Sequence, residues 1–261
     1  MVTFYLEVIA MFKNERLERI LDLLERKKEM TTTDLQETLF VSGSTLRRDL
    51  IELEKMGKVT REFGHVELVR PDNVELSYLF REQEHEDAKR AIAENASIFL
   101  SDNQAVFVDS SSTASFLAPY LAVLHNMVVI TNGLRLAVQL DGIQAVKTFV
   151  AGGRVRPGSG SLLGEDTVAF LDDFRADIAF VSCTGVTTDG IFMSSLEQSS
   201  VKRRMIAGAN KTVLLCDHSK FGVKSYYRLT DATQIAAIVT DQEPAPEDKV
   251  YWEAQNVELI Y

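Results

Sequence analysis

Apolar side chains recur every three or four positions through the first part of the chain, which is the spacing of a helix face turned toward a core. This pattern predicts helices at 14–28, 33–39 and 44–56. Their inward positions are Leu17, Ile20, Leu21, Leu24, Leu35, Leu39, Leu46, Leu50 and Leu53. Gly57 is expected to end the third helix, since glycine readily takes the left-handed conformation found after helix ends.

Two short segments follow the third helix, at 58–61 and 66–69, around a turn at 62–65 that contains Gly64. They predict a β-hairpin, or wing. Three helices and a wing make a winged helix-turn-helix unit, which we assign to residues 12–70. Helix 1 fits a start near Met11, so we interpret the first ten residues as an upstream extension, with translation starting at either Met1 or Met11.

The rest of the chain predicts an α/β domain. Residues 71–86 are charged and poorly periodic, and we interpret them as a linker to a domain at 87–261. After a helix at 85–100, apolar runs predict strands at 105–108, 127–130, 145–150, 178–183, 212–216 and 234–239. Helices are predicted between them at 114–123, 134–140, 164–174 and 198–209. Continuous apolar strands separated by helices indicate a mostly parallel sheet with both faces covered.

Composition narrows the class of protein. No apolar stretch approaches the length that spans a bilayer, and Cys183 and Cys216 each lie in an apolar run, as buried thiols do. We expect a cytoplasmic protein with no membrane contact, no metal site and no cofactor. The net charge of −10 disfavours nucleic acid at first. Residues 1–70 contribute only −1 of it, however, and local charge decides contact with phosphates.

The start of the third helix has the chemistry of DNA recognition. Arg47 and Arg48 lie in its first turns, which enter the major groove in a helix-turn-helix. Arginine matches both the guanine edge and phosphate. Thr45 and Asp49 are expected at or beside the same exposed side. The expected DNA contacts are Ser42, Ser44, Thr45, Arg47, Arg48 and, on the wing, Arg61. The alternative is that the two arginines form only a solvated charge pair.

The stretch V-S-G-S-T-L-R-R-D-L-I-E-L-E-K-M-G at 41–57 resembles the signature of the DeoR family of bacterial regulators. That pattern reads V-S-x-x-T-[IL]-R-R-D-L-x-x-L-x-x-x-G. One departure is the wing, where the family usually has His-Gly-Gly-Ala and this chain has Phe-Gly-His-Val at 63–66. The contacts of the wing are therefore less well defined by the resemblance than those of the third helix.

A second candidate site follows the predicted strands. The carboxyl ends of parallel strands share one edge of a sheet, and ligands bind there. Hydroxyls at 110–113 suit an anion, and glycines at 152–153 allow a close approach of backbone. Arg154, Lys202 and Lys220 are assigned to a phosphate. Asp109, Asn132 and Glu197 are assigned to sugar hydroxyls, as hydrogen-bond acceptors. The expected effector residues are Asp109, Ser110, Ser111, Ser112, Thr113, Asn132, Gly152, Gly153, Arg154, Thr184, Gly185, Glu197, Lys202, Asp217 and Lys220.

These loop motifs are also similar, in order, to those of the DeoR effector domain: D-S-S-S-T (109–113), T-N-G (131–133), G-G (152–153), E-Q-x-x-x-K (197–202) and D-H-S-K-F (217–221). The resemblance implies a fold similar to ribose-5-phosphate isomerase and the CoA-transferases. It implies a sequence-specific regulator, usually a repressor, that binds a double-stranded operator and responds to a phosphorylated sugar or related metabolite. Because one winged helix offers little contact area, we expect a homo-oligomer, either a dimer or a tetramer.

Two other readings of the sequence stay open. A sugar-phosphate isomerase with a DNA-binding head would recruit Asp109, Glu197 and Lys220, because such chemistry needs a positioned carboxylate base and an electrophile. Alternatively, the winged helix could be a protein–protein module attached to a vestigial α/β domain. Loss of sequence-specific DNA binding on replacing both Arg47 and Arg48 would distinguish a DNA-binding unit from that module.

Overall fold

The computed structural model describes residues 13–27, 29–62, 64–68 and 78–261. The chain divides into two compact units, and the second comprises Tyr78–Tyr261. The predicted extension at 1–10 and most of the predicted linker, residues 71–77, lie outside the described residues.

The first unit is a three-helix winged fold. Its helices are α1 (Lys13–Lys27), α2 (Thr32–Leu39) and α3 (Gly43–Lys55). Its antiparallel sheet has the order β1-β3-β2 and consists of β1 (Glu29–Thr31), β2 (Val59–Glu62) and β3 (His65–Leu68). All but one of the predicted inward leucines and isoleucines are buried, and Leu21 is half-buried. The sequence pattern missed β1, which lies between α1 and α2.

Helix α3 is bounded by a capping serine at its start and a glycine after its end. The Ser42 hydroxyl accepts a hydrogen bond from the Thr45 N–H at 3.2 Å, so Ser42 rather than Ser44 is the N-cap. At the other end Gly57 has φ +71°, and the Lys58 N–H donates to the Leu53 carbonyl at 2.9 Å. This is the glycine-terminated helix end that the sequence predicts.

The second unit is a three-layer α/β domain. Its central sheet has seven strands, all parallel, in the order β15-β14-β12-β9-β4-β5-β6. The strands are β4 (Ala105–Val108), β5 (Met127–Thr131), β6 (Val146–Val150), β9 (Ala176–Ser182), β12 (Ala209–Leu215), β14 (Ala237–Val239) and β15 (Glu258–Ile260). The parallel α/β fold expected from the sequence is confirmed.

Helices cover both faces of this sheet. One face packs on α5 (Glu86–Ala96), α6 (Ser112–Ser115), α7 (Ala118–Leu121) and α8 (Leu134–Leu140). The other packs on α9 (Glu165–Asp172), α10 (Leu196–Gly208) and α11 (Pro246–Ala254). Strand residues alternate between the two layers: Val106 and Val108 belong to the first core and Phe107 to the second. Their burial in two separate apolar cores is the main stabilisation of the sheet.

Several predicted elements differ in detail. The single helix predicted at 114–123 is two short helices, because Pro119 lacks an N–H to continue α6 and lies instead in the first turn of α7. The strand predicted at 234–239 starts only at Ala237, after a 3₁₀ turn at Ala232–Gln234. Within the predicted linker lies α4 (Tyr78–Gln83), so the second unit starts at Tyr78 rather than at residue 87.

Small β elements not expected from the sequence complete the domain. A hairpin of β7 (Arg154–Val155) and β8 (Leu162–Leu163) follows β6. A three-stranded antiparallel sheet consists of β10 (Gly185–Thr187), β11 (Gly190–Met193) and β13 (Tyr227–Thr230). Both emerge from loops that follow strands of the central sheet, so they stand at the edge where ligand residues are expected.

Candidate functional site

The first turns of α3 present hydroxyls and two unopposed cations. The hydroxyl of Ser42 lies 3.0 Å from that of Ser44 and 2.8 Å from that of Thr45. Arg47 and Arg48 are both exposed, and within the described residues neither guanidinium has a hydrogen-bond or ion-pair partner. The helix therefore offers five N–H donors on each of two neighbouring arginines to an external acceptor.

The sequence predicts Asp49 at or beside the exposed side of α3. That prediction is wrong: Asp49 is only 2% exposed. It accepts two hydrogen bonds from Arg16 on α1, at 2.8 Å from Nε and 3.1 Å from Nη2. The reason is helix geometry: position 49 is three residues after Leu46 and four before Leu53, so it shares their inward face. The carboxylate is paired with Arg16, and its charge does not oppose DNA beside Arg47 and Arg48.

Arg61 on the wing is joined to α3 by an ion pair with Glu54, with Arg61 Nε 3.1 Å from the carboxylate oxygen. Both side chains are partly exposed. The sequence did not predict this ion pair. A contact between Arg61 and DNA would have to replace it. Phe63, in the wing turn, lies outside the described residues.

Asp109 and Lys202 come together beneath the carboxyl edge of the central sheet. Asp109 directly follows β4, Lys202 lies on α10, and the two side chains form a buried ion pair. Lys202 Nζ also donates to the Ser182 carbonyl at 2.7 Å. The Asp109 carboxylate accepts further bonds from the Ser182 N–H and the Ser111 N–H, each at 2.8 Å, and from the Ser111 hydroxyl. The pair links the loops after β4 and β9.

Most hydroxyls of the loop after β4 make hydrogen bonds within the protein. The Ser111 hydroxyl caps α6 by accepting from the Ala114 N–H at 3.1 Å, and the Ser112 hydroxyl donates to the Arg81 carbonyl at 3.2 Å. Thr113 is buried. The Ser110 hydroxyl remains at the sheet edge, where it accepts from Asn132 at 3.2 Å.

Asn132 joins the loops after β4 and β5 and keeps one unused acceptor. Its Nδ2 donates to Ser110 and, at 3.0 Å, to the Leu162 carbonyl, which fixes the orientation of the amide. The side chain is 2% exposed, and its Oδ1 has no hydrogen-bond partner within the described residues. An unpaired buried acceptor is costly, so this oxygen is suited to a ligand donor such as a sugar hydroxyl.

The two glycines after β6 have different environments. Gly152 is exposed and has open space where a Cβ would lie, as expected for backbone that approaches a ligand. Gly153 has φ +129°, and a Cβ there would lie 2.1 Å from Thr167 Oγ1, so tight packing requires glycine. The next residue, Arg154, pairs with Glu197 at 2.7 Å, and both side chains are exposed.

Thr184 and Gly185 have structural contacts. The Thr184 hydroxyl accepts from the Ser194 N–H at 3.2 Å. Gly185 starts β10, and a Cβ on it would lie 2.1 Å from the Val223 carbonyl oxygen. Thr184 therefore joins the start of β10 to the end of β11, and Gly185 allows the close approach of the Val223 backbone.

A second charged cluster follows β12. Asp217 is buried and accepts hydrogen bonds from the N–H and hydroxyl of Ser219. Burial raises the pKa of Asp217, but Lys220, the hydrogen bonds from Ser219 and nearby His85 outweigh it, so the net pKa is lowered. Asp217 and Lys220 thus come together, as their spacing in the sequence suggests.

Lys89 on α5 belongs to this cluster, and sequence reasoning missed it. Its Nζ donates to the carbonyl of Arg81, within α4, and to that of Glu84, directly after α4. Burial, aided by Lys220 and Arg81, lowers the pKa of Lys89 to about 8, against the opposing attraction of Asp217 and Glu84. A lysine in the middle of a polar helix segment gives no sequence signal of burial.

Tyr78 and Arg135 are the other site residues that the sequence did not indicate. Together with Ser110, Ser111 and Gly133 they line a narrow crevice of about 170 Å³ at the carboxyl edge of the sheet. Tyr78 is 2% exposed, and its hydroxyl donates to Ser115 at 2.7 Å. Burial raises the pKa of Tyr78, a shift that the hydrogen bond to Ser115 opposes.

Comparisons with known families divide the chain as the structure does. Residues 16–71 match the DeoR-like helix-turn-helix domain, and residues 84–242 match the DeoR C-terminal sensor domain. No helix among the described residues combines the length and apolar character needed to cross a bilayer.

Characterised relatives match over nearly the whole chain. The HTH-type transcriptional repressor GlcR of Bacillus subtilis is 31% identical over 96% of both chains. The HTH-type transcriptional regulator GolR of Listeria innocua is 32% identical over 89% of this chain and 92% of its own. The glycerol-3-phosphate regulon repressor of Escherichia coli is 27% identical over 90% and 93%, respectively.

Solved structures show a more distant likeness. A ribose-5-phosphate isomerase in complex with phospho-erythronic acid matches with a TM-score of 0.40 at 13% identity, covering 52% of this chain and 54% of the isomerase. The eIF2B beta subunit of Chaetomium thermophilum matches with a TM-score of 0.45 at 14% identity, covering 93% of this chain and 70% of its own.

Proposed function

The chain belongs to the DeoR family of transcriptional regulators, and from this premise we propose which residues bind its operator and which bind its effector. It is a DNA-binding regulator with a sensor domain. We propose that it represses genes of sugar metabolism and that a phosphorylated sugar or related anionic metabolite changes its affinity for the operator. A named relative represses the glycerol-3-phosphate regulon, which supports a small phosphorylated polyol as the effector class.

For DNA binding, we assign base-edge or phosphate contacts to Arg47 and Arg48 and phosphate contacts to the hydroxyls of Ser42, Ser44 and Thr45. The observation that carries this assignment is the pair of exposed guanidinium groups with no partner in the described part of the chain, on the first turns of a capped helix. Arg61 is assigned a backbone contact that replaces its pair with Glu54.

For the effector, we assign the carboxyl edge of the sheet between the loops after β4, β5 and β6. Ser110, the Asn132 oxygen and Gly152 are proposed to face the ligand directly. The remaining residues predicted from the sequence support the edge from behind or beside it: Asp109, Ser111, Ser112, Thr113, Gly153, Arg154, Thr184, Gly185, Glu197, Lys202, Asp217 and Lys220.

We propose that the regulator acts as a cytoplasmic homodimer or homotetramer, because paired half-sites require paired recognition helices. A ligand that prefers one arrangement of the sensor domains shifts operator affinity by its differential binding, typically ~1–3 kcal/mol, or roughly 5–150-fold. For a repressor the ligand favours the arrangement that releases DNA.

The test is binding to the DNA upstream of the neighbouring genes at fixed salt, titrated with a panel of sugar phosphates that includes glycerol 3-phosphate. Release by one compound, and not by its dephosphorylated form, supports the proposal. Specific binding that no compound changes would contradict the effector assignment and leave the DNA-binding assignment standing.

We propose that the sensor domain binds its ligand without turning it over. The two carboxylates that an isomerase would recruit are each held in an ion pair, Asp109 with Lys202 and Glu197 with Arg154. A turnover assay with ribose 5-phosphate tests this: product formation that is lost in Glu197→Gln would show an enzyme.

A further inference from the structure

The crevice at the carboxyl edge of the sheet is lined in part by Tyr78, at the start of the sensor domain. Tyr78 is the first residue of α4, and α4 is the first element of the second unit. Ser110 and Asp109, from the loop that we assign to the effector, line the same crevice. The inference drawn from this arrangement rests on that proposed function and concerns how occupancy of the site is transmitted.

Tyr78 and α4 are held to the site by specific contacts. The Tyr78 N–H donates to the Gly158 carbonyl at 2.7 Å, and the Tyr78 hydroxyl donates to Ser115 at 2.7 Å. Further along the helix, the Arg81 carbonyl accepts from Ser112 at 3.2 Å and also from Lys89. The position of α4 therefore depends on the loop that follows β4.

Arg135 is the cation that lines this crevice, and Arg81 lies over the Tyr78 ring at 5.9 Å. The Arg135 guanidinium lies over the same ring, 5.5 Å from the centroid, and within the described residues it has no carboxylate partner. By contrast, Lys202 and Arg154, which were expected to bind phosphate, are paired with Asp109 and Glu197. An anion at the edge would meet an unneutralised charge at Arg135 and already neutralised charges at the other two.

The crevice is narrow. The space of about 170 Å³ along it is partly open to solvent, and between its walls there is no room for a water molecule. A phosphate can enter only if a wall moves. Asp109 is held by the buried ion pair with Lys202, whereas Tyr78 belongs to a six-residue helix that is attached by the hydrogen bonds of Tyr78 and Arg81.

A separate observation indicates a ligand at the same edge. The Asn132 Oδ1 atom is buried without a partner, and the same amide donates to Ser110, which lines the crevice. A phosphorylated polyol offers both an anion for Arg135 and hydroxyl donors for such an oxygen.

We propose that the anionic group of the effector binds Arg135, separates it from Tyr78 and displaces Tyr78 together with α4. This displacement is the step by which occupancy of the sensor changes the DNA-binding unit. Neither residue was among those that the sequence assigned to the effector.

The experiment uses the full chain, its operator fragment, and inorganic phosphate, glycerol 3-phosphate and ribose 5-phosphate as probes. Operator release is followed by fluorescence anisotropy, and amide hydrogen exchange is followed across 78–83. We expect the probe that releases DNA to speed exchange in α4. Arg135→Gln should weaken the response at least about tenfold, as loss of one charge-assisted contact does, and Arg135→Lys should weaken it less. Lys147→Gln, which removes an exposed charge on β6, is the matched control and should respond as wild type.

A second variant tests the coupling itself. Tyr78→Phe keeps the ring against Arg135 but loses the hydrogen bond to Ser115. Because α4 is then held less firmly, the probe should release DNA at a several-fold lower concentration. A probe that releases DNA without any change in α4 exchange, or with unchanged potency in both Arg135→Gln and Tyr78→Phe, would overturn this inference and leave the proposed function standing. If no probe releases DNA, the effector assignment and this inference both fail.

Discussion

Lys202 and Asp109 form an ion pair with side-chain exposures of 6% and 1%, and the lysine also donates to the Ser182 carbonyl. Loss of one partner would leave a buried charge without compensation. Lys202→Met should therefore lower the free energy of unfolding of the sensor domain by about 3–5 kcal/mol, measured by urea denaturation. For this reason Lys202 is a poor position for testing effector response alone.

The control for this variant is Lys211→Met, which replaces an exposed lysine on β12 and should change stability by less than about 0.5 kcal/mol. Combining Lys202→Met with Asp109→Asn should recover part of the loss, because no uncompensated charge remains. If Lys202→Met unfolds like wild type, the ion pair does not have the burial described.

Arg47 and Arg48 should carry most of the operator contact. Each single alanine variant should lose about 1–3 kcal/mol of binding free energy, or roughly 5–150-fold in affinity. An arginine that reads a base should also lose sequence preference, whereas one that contacts phosphate should lose about one unit of the salt dependence. Anisotropy titrations at several salt concentrations, with operator and scrambled DNA, separate the two roles.

Lys27→Ala removes an exposed charge from α1 and provides the comparison for the arginine variants. It should leave operator affinity close to wild type. If the Arg47→Ala/Arg48→Ala double variant still binds the operator as wild type does, α3 is not the recognition helix.

Gly152 and Gly153 should respond differently to alanine. Gly153→Ala combines φ +129° with a clash at Thr167 and should cost about 1–3 kcal/mol of stability. Gly152→Ala has open space for its methyl group and should change stability by less than about 1 kcal/mol, yet blunt effector response if Gly152 faces the ligand. Thermal unfolding and probe titration of both variants test this, and equal stability losses would contradict the packing described.

Lys89 should make stability depend on pH above neutrality. Its pKa is about 8 in the folded chain and near 10.5 when unfolded, so the unfolded chain binds more protons between these values. The free energy of unfolding should rise with pH from 8 toward 10.5, by at most about 3 kcal/mol. Below pH 8 both states are protonated and the cost of burying the charge is fully present.

Urea denaturation at pH 7.5, 8.5 and 9.5 measures this rise as the difference between wild type and Lys89→Met, which cancels the opposite effect of the buried Cys216 thiol, whose pKa is raised. Lys211→Met should have the slope of wild type. The window stays below the range in which Tyr78 titrates, because the pKa of Tyr78 is raised above its ordinary value of 10. An equal slope in wild type and Lys89→Met would show that another group is responsible.

The winged fold and the parallel sheet were predictable because their signals are local and repeated. The leucines of α1 to α3 lie three or four residues apart, and the strands of the central sheet are continuous apolar runs. The shared edge for the loops after β4, β5, β6, β9 and β12 follows from parallel strands alone. The burial of Asp49 was also within reach, since its spacing from Leu46 and Leu53 places it on their face.

Tyr78, Lys89 and Arg135 could not be identified in this way. Tyr78 meets Ser115 and Gly158, 37 and 80 positions away, and nothing in the charged stretch around it indicates those partners. Likewise, β1 is only three residues long and is defined by its pairing with β3. Pairing between distant segments also decided which cations were neutralised, as with Lys202 and Arg154.

The two-pronged contact between Arg16 and Asp49 has a further consequence for recognition. It ties α3 to α1 from the inward side, directly after Arg47 and Arg48. Adjacent residues on a helix point about 100° apart, so a small roll of α3 about its own axis would turn one arginine away from the base edges. If the two arginines enter the groove as we propose, this contact fixes the roll before DNA arrives and presets their angle of entry, so less entropy is lost when the complex forms.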